Sequence, residues 1–77
     1  MNTQYEKAVG QRLRKVREER HLTQEQISAR LQIRGCDITR SALAKIEVGQ
    51  RHLYVDELYH LKTILDVSYE DILGGIL

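Results

Sequence analysis

The chain has 77 residues, of which 30% are charged, with one cysteine, no proline and no tryptophan. This length allows one domain at most, expected over residues 1–77, with a core only just large enough for stability. No apolar run approaches the roughly 18 residues of a membrane span, and the N-terminal residues lack the apolar core of a signal peptide. Cys36 has no partner for an internal disulfide and is interpreted as a small turn residue. These features favour the cytoplasm.

The net charge of +1 conceals an uneven distribution. Residues 1–53 hold 11 Lys and Arg against 6 Asp and Glu, whereas residues 54–77 hold one Lys and five acids. The two parts therefore carry charges of +5 and −4. A basic part is expected of a protein that binds nucleic acid, and the acidic part would lie away from the phosphates.

Apolar residues recur at helical spacing along most of the chain, which predicts an all-α protein with five helices. The first helix is predicted over residues 5–20. The second begins after Thr23, an N-cap that forms a capping box with Gln26. Gly35 suits the left-handed residue that follows a helix, so the segment before it is interpreted as a frayed last turn and a connector.

The stretch DITRSALAKIEVGQR predicts a third helix that is capped by Thr39 and ended by Gly49. At about 100° per residue, Leu43 and Ile46 form its buried side. The opposite side holds small and basic residues and no acid: Arg40, Ser41, Ala44, Lys45 and Val48. A narrow basic face fits the major groove of DNA, where Arg, Lys and Ser meet phosphates and base edges. The alternative is a solvated face that happens to lack acids.

Two further helices are predicted in the C-terminal part. The fourth runs from Val55 to about Leu65 and is expected to bury its apolar residues, Val55, Leu58, Leu61 and Leu65. Ser68 caps the short fifth helix, and Asp71 occupies the capping-box position. The two glycines that follow end this helix and leave an apolar tail.

Arg17 and Glu47 are predicted to form a structural ion pair. Each lies at the edge of a buried helix face, and Glu47 is the only acid of the third helix. An unpaired charge in such a place would be costly, so each side chain needs the other.

Two capped helices in succession, the second with a narrow basic face, are typical of helix-turn-helix proteins. Residues 9–73 resemble the Cro/cI-type helix-turn-helix repressors of phages and bacteria. The stretches that carry the resemblance are VGQRLRKVREERHLTQEQIS, ITRSALAKIEVGQR and DELYHLKTILDVSYEDIL. The resemblance implies a compact five-helix bundle of the lambda-repressor-like DNA-binding type. Helices 2 and 3 would form the helix-turn-helix.

The resemblance also implies roles for individual residues. Positions that usually read bases are matched by Arg40, Ser41 and Lys45. Positions that usually contact the DNA backbone are matched by Gln24, Thr39, Gln50 and Arg51. For His52, a solvated loop residue is an equally good interpretation, and the Arg17–Glu47 pair matches a structural pair of the family.

The sequence departs from the family pattern in two places. About five extra residues separate Leu31 from Thr39. Either the second helix runs a turn longer or the connector bulges, which would bring Arg34 to a flanking phosphate. His21 stands where the family often has Gly, so a left-handed histidine is expected there.

These features predict a sequence-specific regulator of transcription, a repressor that binds a palindromic duplex as a homodimer. The dimer surface is expected among the apolar residues of the acidic end: Tyr69, Ile72, Leu73, Ile76 and Leu77. Alternatively, Ile72 and Leu73 close the core and the last two residues form a frayed tail.

A protein-interaction module or an antitoxin-like partner with the same fold is the alternative function. The narrow basic helix argues against it, because protein-binding faces usually carry large apolar or aromatic anchors. The three histidines are scattered, and no Cys, His and acid cluster has the spacing of a metal site or a catalytic triad. We therefore predict no enzymatic activity, no metal, no cofactor and no small-molecule ligand.

Overall fold

The computed structural model describes residues 3–77, and all regular secondary structure in this range is helical. Five helices follow one another, as the sequence predicts: α1 Thr3–Glu19, α2 Gln24–Ile33, α3 Arg40–Glu47, α4 Val55–Leu65 and α5 Tyr69–Leu73. Helix α1 packs against α3 and α5, and α2 packs against α3 and α4. The all-α fold class is therefore confirmed.

Side chains cap the starts of α2 and α5 as predicted. Thr23 Oγ1 accepts the backbone N–H of Gln26 at 3.0 Å, and the Gln26 side chain accepts the backbone N–H of Thr23 at 2.8 Å. Ser68 and Asp71 form the same reciprocal pair at 3.0 and 2.9 Å. Each capping box satisfies two donors that a helix start would otherwise leave unpaired.

A left-handed residue follows each of the five described helices: His21 at φ 56°, Gly35 at 79°, Gly49 at 79°, Asp66 at 55° and Gly75 at 80°. After α2, the backbone N–H of Cys36 donates to Leu31 O at 2.9 Å, and that of Gly35 donates to Gln32 O at 3.0 Å. This pair of hydrogen bonds defines the Schellman motif. The left-handed histidine is confirmed, and Asp66 is a second non-glycine residue in this region that sequence analysis did not identify.

One apolar core lies among the helices. Its buried members are Val9, Leu13, Val16, Ile27, Leu31, Cys36, Ile38, Leu43, Ile46, Leu61, Leu65 and Ile72. Where α1 crosses α3, a Cβ atom on Gly10 would overlap the carbonyl oxygen of Ile46, so only glycine permits this close approach. The position of α3 is therefore set directly against the backbone of α1.

The prediction that α4 buries Val55 is wrong, because this side chain is 85% exposed. Leu61 and Leu65 are buried and Leu58 packs against the core. At 100° per residue the centre of this leucine stripe lies roughly 90° from Val55, which therefore points to solvent at the start of the helix.

The extra residues between the second and third helices both lengthen α2 and form a connector. Helix α2 continues to Ile33, and residues 34–39 link it to α3. Cys36 and Ile38 in this connector are buried, so Cys36 is a core residue as well as a turn residue. Burial is the main cause that raises the pKa of the Cys36 thiol.

The carbonyl of Ile38 anchors the connector to α2. It accepts the Ser28 hydroxyl at 2.8 Å and the Gln32 side-chain amide at 3.2 Å. Since Ile38 precedes the cap of α3 by one residue, this anchor fixes where the third helix begins.

The C-terminal apolar cluster mostly completes the core. Ile72 is fully buried and cannot contact a second copy, so its assignment to a dimer surface is wrong. Leu73 and Ile76 are partly buried against the core. Leu77 is 77% exposed. The exposed Tyr69 ring lies 5.2 Å from the ammonium nitrogen of Lys62.

Candidate nucleic-acid interface

Helix α3 turns a basic face to solvent. Thr39 caps it as predicted, because its Oγ1 accepts the backbone N–H of Ala42 at 3.1 Å. Leu43 and Ile46 are buried on one side. The other side exposes the three residues assigned to base reading: Arg40, Ser41 and Lys45. This side carries no acid of its own helix, which is the composition that a face near DNA requires.

The Arg17–Glu47 ion pair joins α1 to the end of α3. Arg17 Nε donates to Glu47 Oε2 at 2.7 Å, and Nη2 donates to Oε1 at 3.0 Å. The two side chains are only 12% and 3% exposed. Arg17 Nη1 also donates to Leu22 O at 2.9 Å. The hydrogen bonds to Glu47 raise the pKa of Arg17 although burial acts in the opposite direction.

Gln24 extends this link to the start of α2. Its side-chain nitrogen donates to Glu47 Oε1 at 2.9 Å, so the carboxylate accepts hydrogen bonds from two other helices. Gln24 is the first residue of α2 and is partly buried. The N-terminus of α2 is thereby held beside the end of α3.

An open recess lies between the end of α1 and the starts of α2 and α3. Its lining includes Arg14, Glu18, His21, Glu25 and Arg40. Arg40 Nη1 lies 3.2 Å from Glu25 Oε1, so this exposed ion pair bridges the first turns of α2 and α3. The recess combines basic side chains with the N-terminus of α2, both of which attract anions.

Arg51 forms hydrogen bonds within the chain. Its two terminal nitrogens donate to the Glu57 carboxylate at 2.9 and 3.0 Å, and Nη1 also donates to His52 O at 2.8 Å. Burial raises the pKa of Glu57, but the hydrogen bonds from Arg51 and from the backbone N–H of Tyr54 outweigh it, so the net shift is downward. Sequence analysis did not predict the Arg51–Glu57 pair. The signal for it is Glu57 itself, an acid at the third position of the fourth helix.

The remaining candidates occupy different surroundings. Arg34 Nε donates to His60 Nδ1 at 3.0 Å, and the guanidinium carbon lies 5.9 Å from the Tyr59 ring centre, so Arg34 is directed at α4. Gln50 is exposed, and its backbone N–H donates to Lys45 O at 2.8 Å at the end of α3.

His52 is exposed but has a partner. Its Nδ1 lies 3.1 Å from Glu6 Oε1, which links the loop after α3 to the first turns of α1. His52 therefore has a contact within the chain, which neither the phosphate-contacting nor the solvated interpretation included.

Residues 3–77 contain no candidate membrane span and no candidate cluster of metal ligands. None of the described helices is long and apolar enough to cross a membrane. In the same part of the chain, no three His, Cys, Asp or Glu side chains are grouped as metal ligands.

Comparison with known protein families gives a match over most of the chain. The family described as a helix-turn-helix domain matches residues 10–76, which includes α2, the connector and α3. The comparisons with curated proteins and with solved structures gave no match. The resemblance to Cro/cI-type helix-turn-helix proteins is thus supported over most of the chain.

Proposed function

Because the chain belongs to the helix-turn-helix domain family, we propose that it binds specific sequences in double-stranded DNA, with α3 in the major groove, and regulates transcription. The observation that carries this proposal is the exposed basic face of α3. The buried Arg17–Glu47 pair and the Ile38 anchor hold that face at both ends. A rigid helix places its side chains reproducibly against base edges.

Three residues of this face are assigned to base reading. Arg40 is the best suited to a bidentate contact, because a guanidinium offers two parallel donors to O6 and N7 of guanine. Ser41 donates to or accepts from a base edge, and Lys45 donates to an acceptor in the same groove. Ala44, partly buried between them, lets the helix backbone approach the DNA.

Contacts to the DNA backbone are assigned to residues at the helix ends. Gln24 begins α2, Thr39 caps α3 and Gln50 follows α3. The free N–H groups and the dipole at the start of α2 favour a phosphate beside Gln24. Arg34 and Arg51 are not assigned to phosphates, because both guanidinium groups bond to side chains of α4. The Gln24 side chain is also bonded, to Glu47, so its assignment depends on the backbone N–H groups at the start of α2.

The proposed regulator is a repressor that acts by occupying a palindromic operator as a homodimer. One domain of this size contacts few base pairs, too few for useful discrimination in a genome. Two copies related by a two-fold axis read two half-sites and multiply that discrimination.

Selection of bound sequences from random duplex DNA tests the proposal. We expect a palindromic consensus, with half-site centres about 10 base pairs apart. The Lys45→Ala/Arg40→Ala double variant is the control and should enrich no consensus while remaining folded. If the wild-type chain enriched no sequence at low salt, the proposed function would be wrong.

One observation favours protein binding as the second candidate function. Ile33 is 86% exposed at the end of α2, and Val55 and Tyr59 are exposed one turn apart on α4. Large exposed apolar side chains are the anchors that protein-binding surfaces use. A chain with this function alone would enrich no duplex in the selection.

A further inference from the structure

The start of α2 supplies an acid to the principal base-reading arginine. Arg40 Nη1 lies 3.2 Å from Glu25 Oε1, and the two side chains are 65% and 72% exposed. An exposed ion pair of this kind contributes little to stability. A carboxylate beside a DNA-binding face also repels phosphates. The Glu25 carboxylate therefore weakens binding to DNA and adds almost nothing to the stability of the fold.

The geometry of the guanidinium group indicates that the ion pair orients Arg40. Arg carries five N–H donors in a fixed plane. With Nη1 directed at Glu25, the edge formed by Nε and Nη2 remains available. Those two parallel donors are what a bidentate contact to guanine needs. Glu25 therefore selects which edge of Arg40 faces the groove and restricts the rotation of a long side chain.

We propose that Glu25 is a positioning residue that determines specificity at the base pair contacted by Arg40. The inference rests on the proposed DNA-binding function. Without Glu25, Arg40 samples phosphates and neighbouring bases as well as guanine. The loss should appear as weaker discrimination rather than as weaker binding overall.

Glu18 provides a matched control in the same recess. Glu18 Oε1 lies 3.6 Å from Arg14 Nε, and both side chains are exposed. Glu18→Gln removes the same charge from the same lining as Glu25→Gln but leaves the partner of Arg40 in place. Both variants should unfold at the wild-type temperature, because neither carboxylate is buried.

The test measures affinity at one fixed salt concentration for the selected duplex, for its single-base variants and for random duplex. Glu25→Gln should reduce the preference at one position of each half-site by about tenfold, within the range of one bidentate contact. Glu18→Gln should leave that preference unchanged. Both should bind random duplex slightly more tightly, since each removes one negative charge. In the Arg40→Ala background, Glu25→Gln should have no further effect on preference.

The outcomes separate the two proposals. If wild-type protein prefers no duplex, the proposed function fails, and the inference about Glu25 fails with it. If wild-type protein is specific but Glu25→Gln and Glu18→Gln behave alike at every position, only the positioning role of Glu25 is overturned. The same holds if Glu25→Gln weakens all duplexes equally.

Discussion

Within residues 3–77, five arginines donate hydrogen bonds to other groups of the molecule: Arg12, Arg17, Arg20, Arg34 and Arg51. Arg12 and Arg20, for example, donate to the backbone carbonyls of Asp71 and Asp66 and so fasten α1 to the acidic C-terminal part. The excess of basic residues in the sequence therefore overstates the charge that faces DNA. A small number of phosphate contacts is expected, and with it a shallow dependence of affinity on salt.

Among single residues, Arg40 should matter most for sequence preference. Arg40→Ala is expected to weaken binding to the preferred duplex by about 1–3 kcal/mol and to relax one base position. The measurement is a titration of selected and single-base variant duplexes at one salt concentration. Arg30→Ala is the control, because Arg30 is exposed in the last turn of α2, away from the recess.

Equal losses for Arg40→Ala and Arg30→Ala on every duplex would mean that both arginines act only through charge. Unchanged affinity and preference in Arg40→Ala would show that α3 does not read bases through its first residue. Either result would contradict the assignment of α3 as the recognition helix.

Glu57 should make stability depend on pH. Its pKa is below the ordinary 4.5, so its pairing with Arg51 stabilises the fold above that pH. Glu57→Gln should lower the free energy of unfolding by about 1–3 kcal/mol at pH 7. As the pH falls through 4.5 and below, the wild-type carboxyl takes up a proton and the difference from Glu57→Gln should shrink. Urea unfolding between pH 7 and pH 3 measures it.

Glu70→Gln is the control for this series. The Glu70 side chain is exposed, and its substitution removes one acid without affecting the partner of Arg51. A constant difference between wild type and Glu57→Gln across the whole pH range would contradict the role assigned to the Arg51–Glu57 pair.

At the scale of helices, the Glu47 carboxylate connects α1, α2 and α3. It accepts two hydrogen bonds from Arg17 and one from Gln24. Arg17→Met or Glu47→Gln alone should destabilise the fold by about 3–5 kcal/mol, because each leaves a polar or charged partner buried and unpaired. The double variant should lose much less than the sum of the two. A double-mutant cycle by urea unfolding gives the coupling energy.

Gln24→Leu is measured alongside this cycle, because it removes one weaker hydrogen bond to the same carboxylate. It should lower the free energy of unfolding by about 1 kcal/mol. Additive losses for Arg17→Met and Glu47→Gln would contradict a direct interaction and would require another explanation for the position of α3.

The features that sequence analysis predicted correctly are local ones. The caps at Thr23, Thr39 and Ser68 and the apolar stripes depend on residues three or four positions apart, which a sequence displays directly. The Arg17–Glu47 pair is long-range, but each partner lies at the edge of a buried face, and the family resemblance supplied the match.

The missed features depend on tertiary contacts. Ile38 lies in a connector without periodicity, and its burial follows from how α2 and α3 meet. Arg51 resembles a phosphate-contacting residue of the family, but here Glu57 lies within hydrogen-bonding distance. Ile72 was assigned either to the core or to a dimer surface, and only the packing of α5 on α1 places it in the core.

At the scale of the whole molecule, size limits how two copies can meet on DNA. The Cα atoms extend over 29 × 21 × 19 Å. Recognition helices one DNA turn apart are separated by about 34 Å, which exceeds the longest of these dimensions. Two copies on adjacent half-sites therefore touch over a small area, and a weak dimer that DNA strengthens is expected.

The dimer surface is expected at the exposed remainder of the C-terminal cluster, namely Tyr69 and Leu77, with the partly buried Ile76 beside them. Sedimentation at tens of micromolar should show a partly dimeric wild type, and Leu77→Ser should shift it to monomer, because the substitution removes the most exposed apolar side chain of this surface. Ile33→Ser is the matched control, since it removes an apolar side chain of similar exposure at the end of α2. A shift caused by Ile33→Ser and not by Leu77→Ser would place the surface at α2 and α4 instead. A strictly monomeric wild type that binds a palindromic duplex one to one would contradict dimerisation itself.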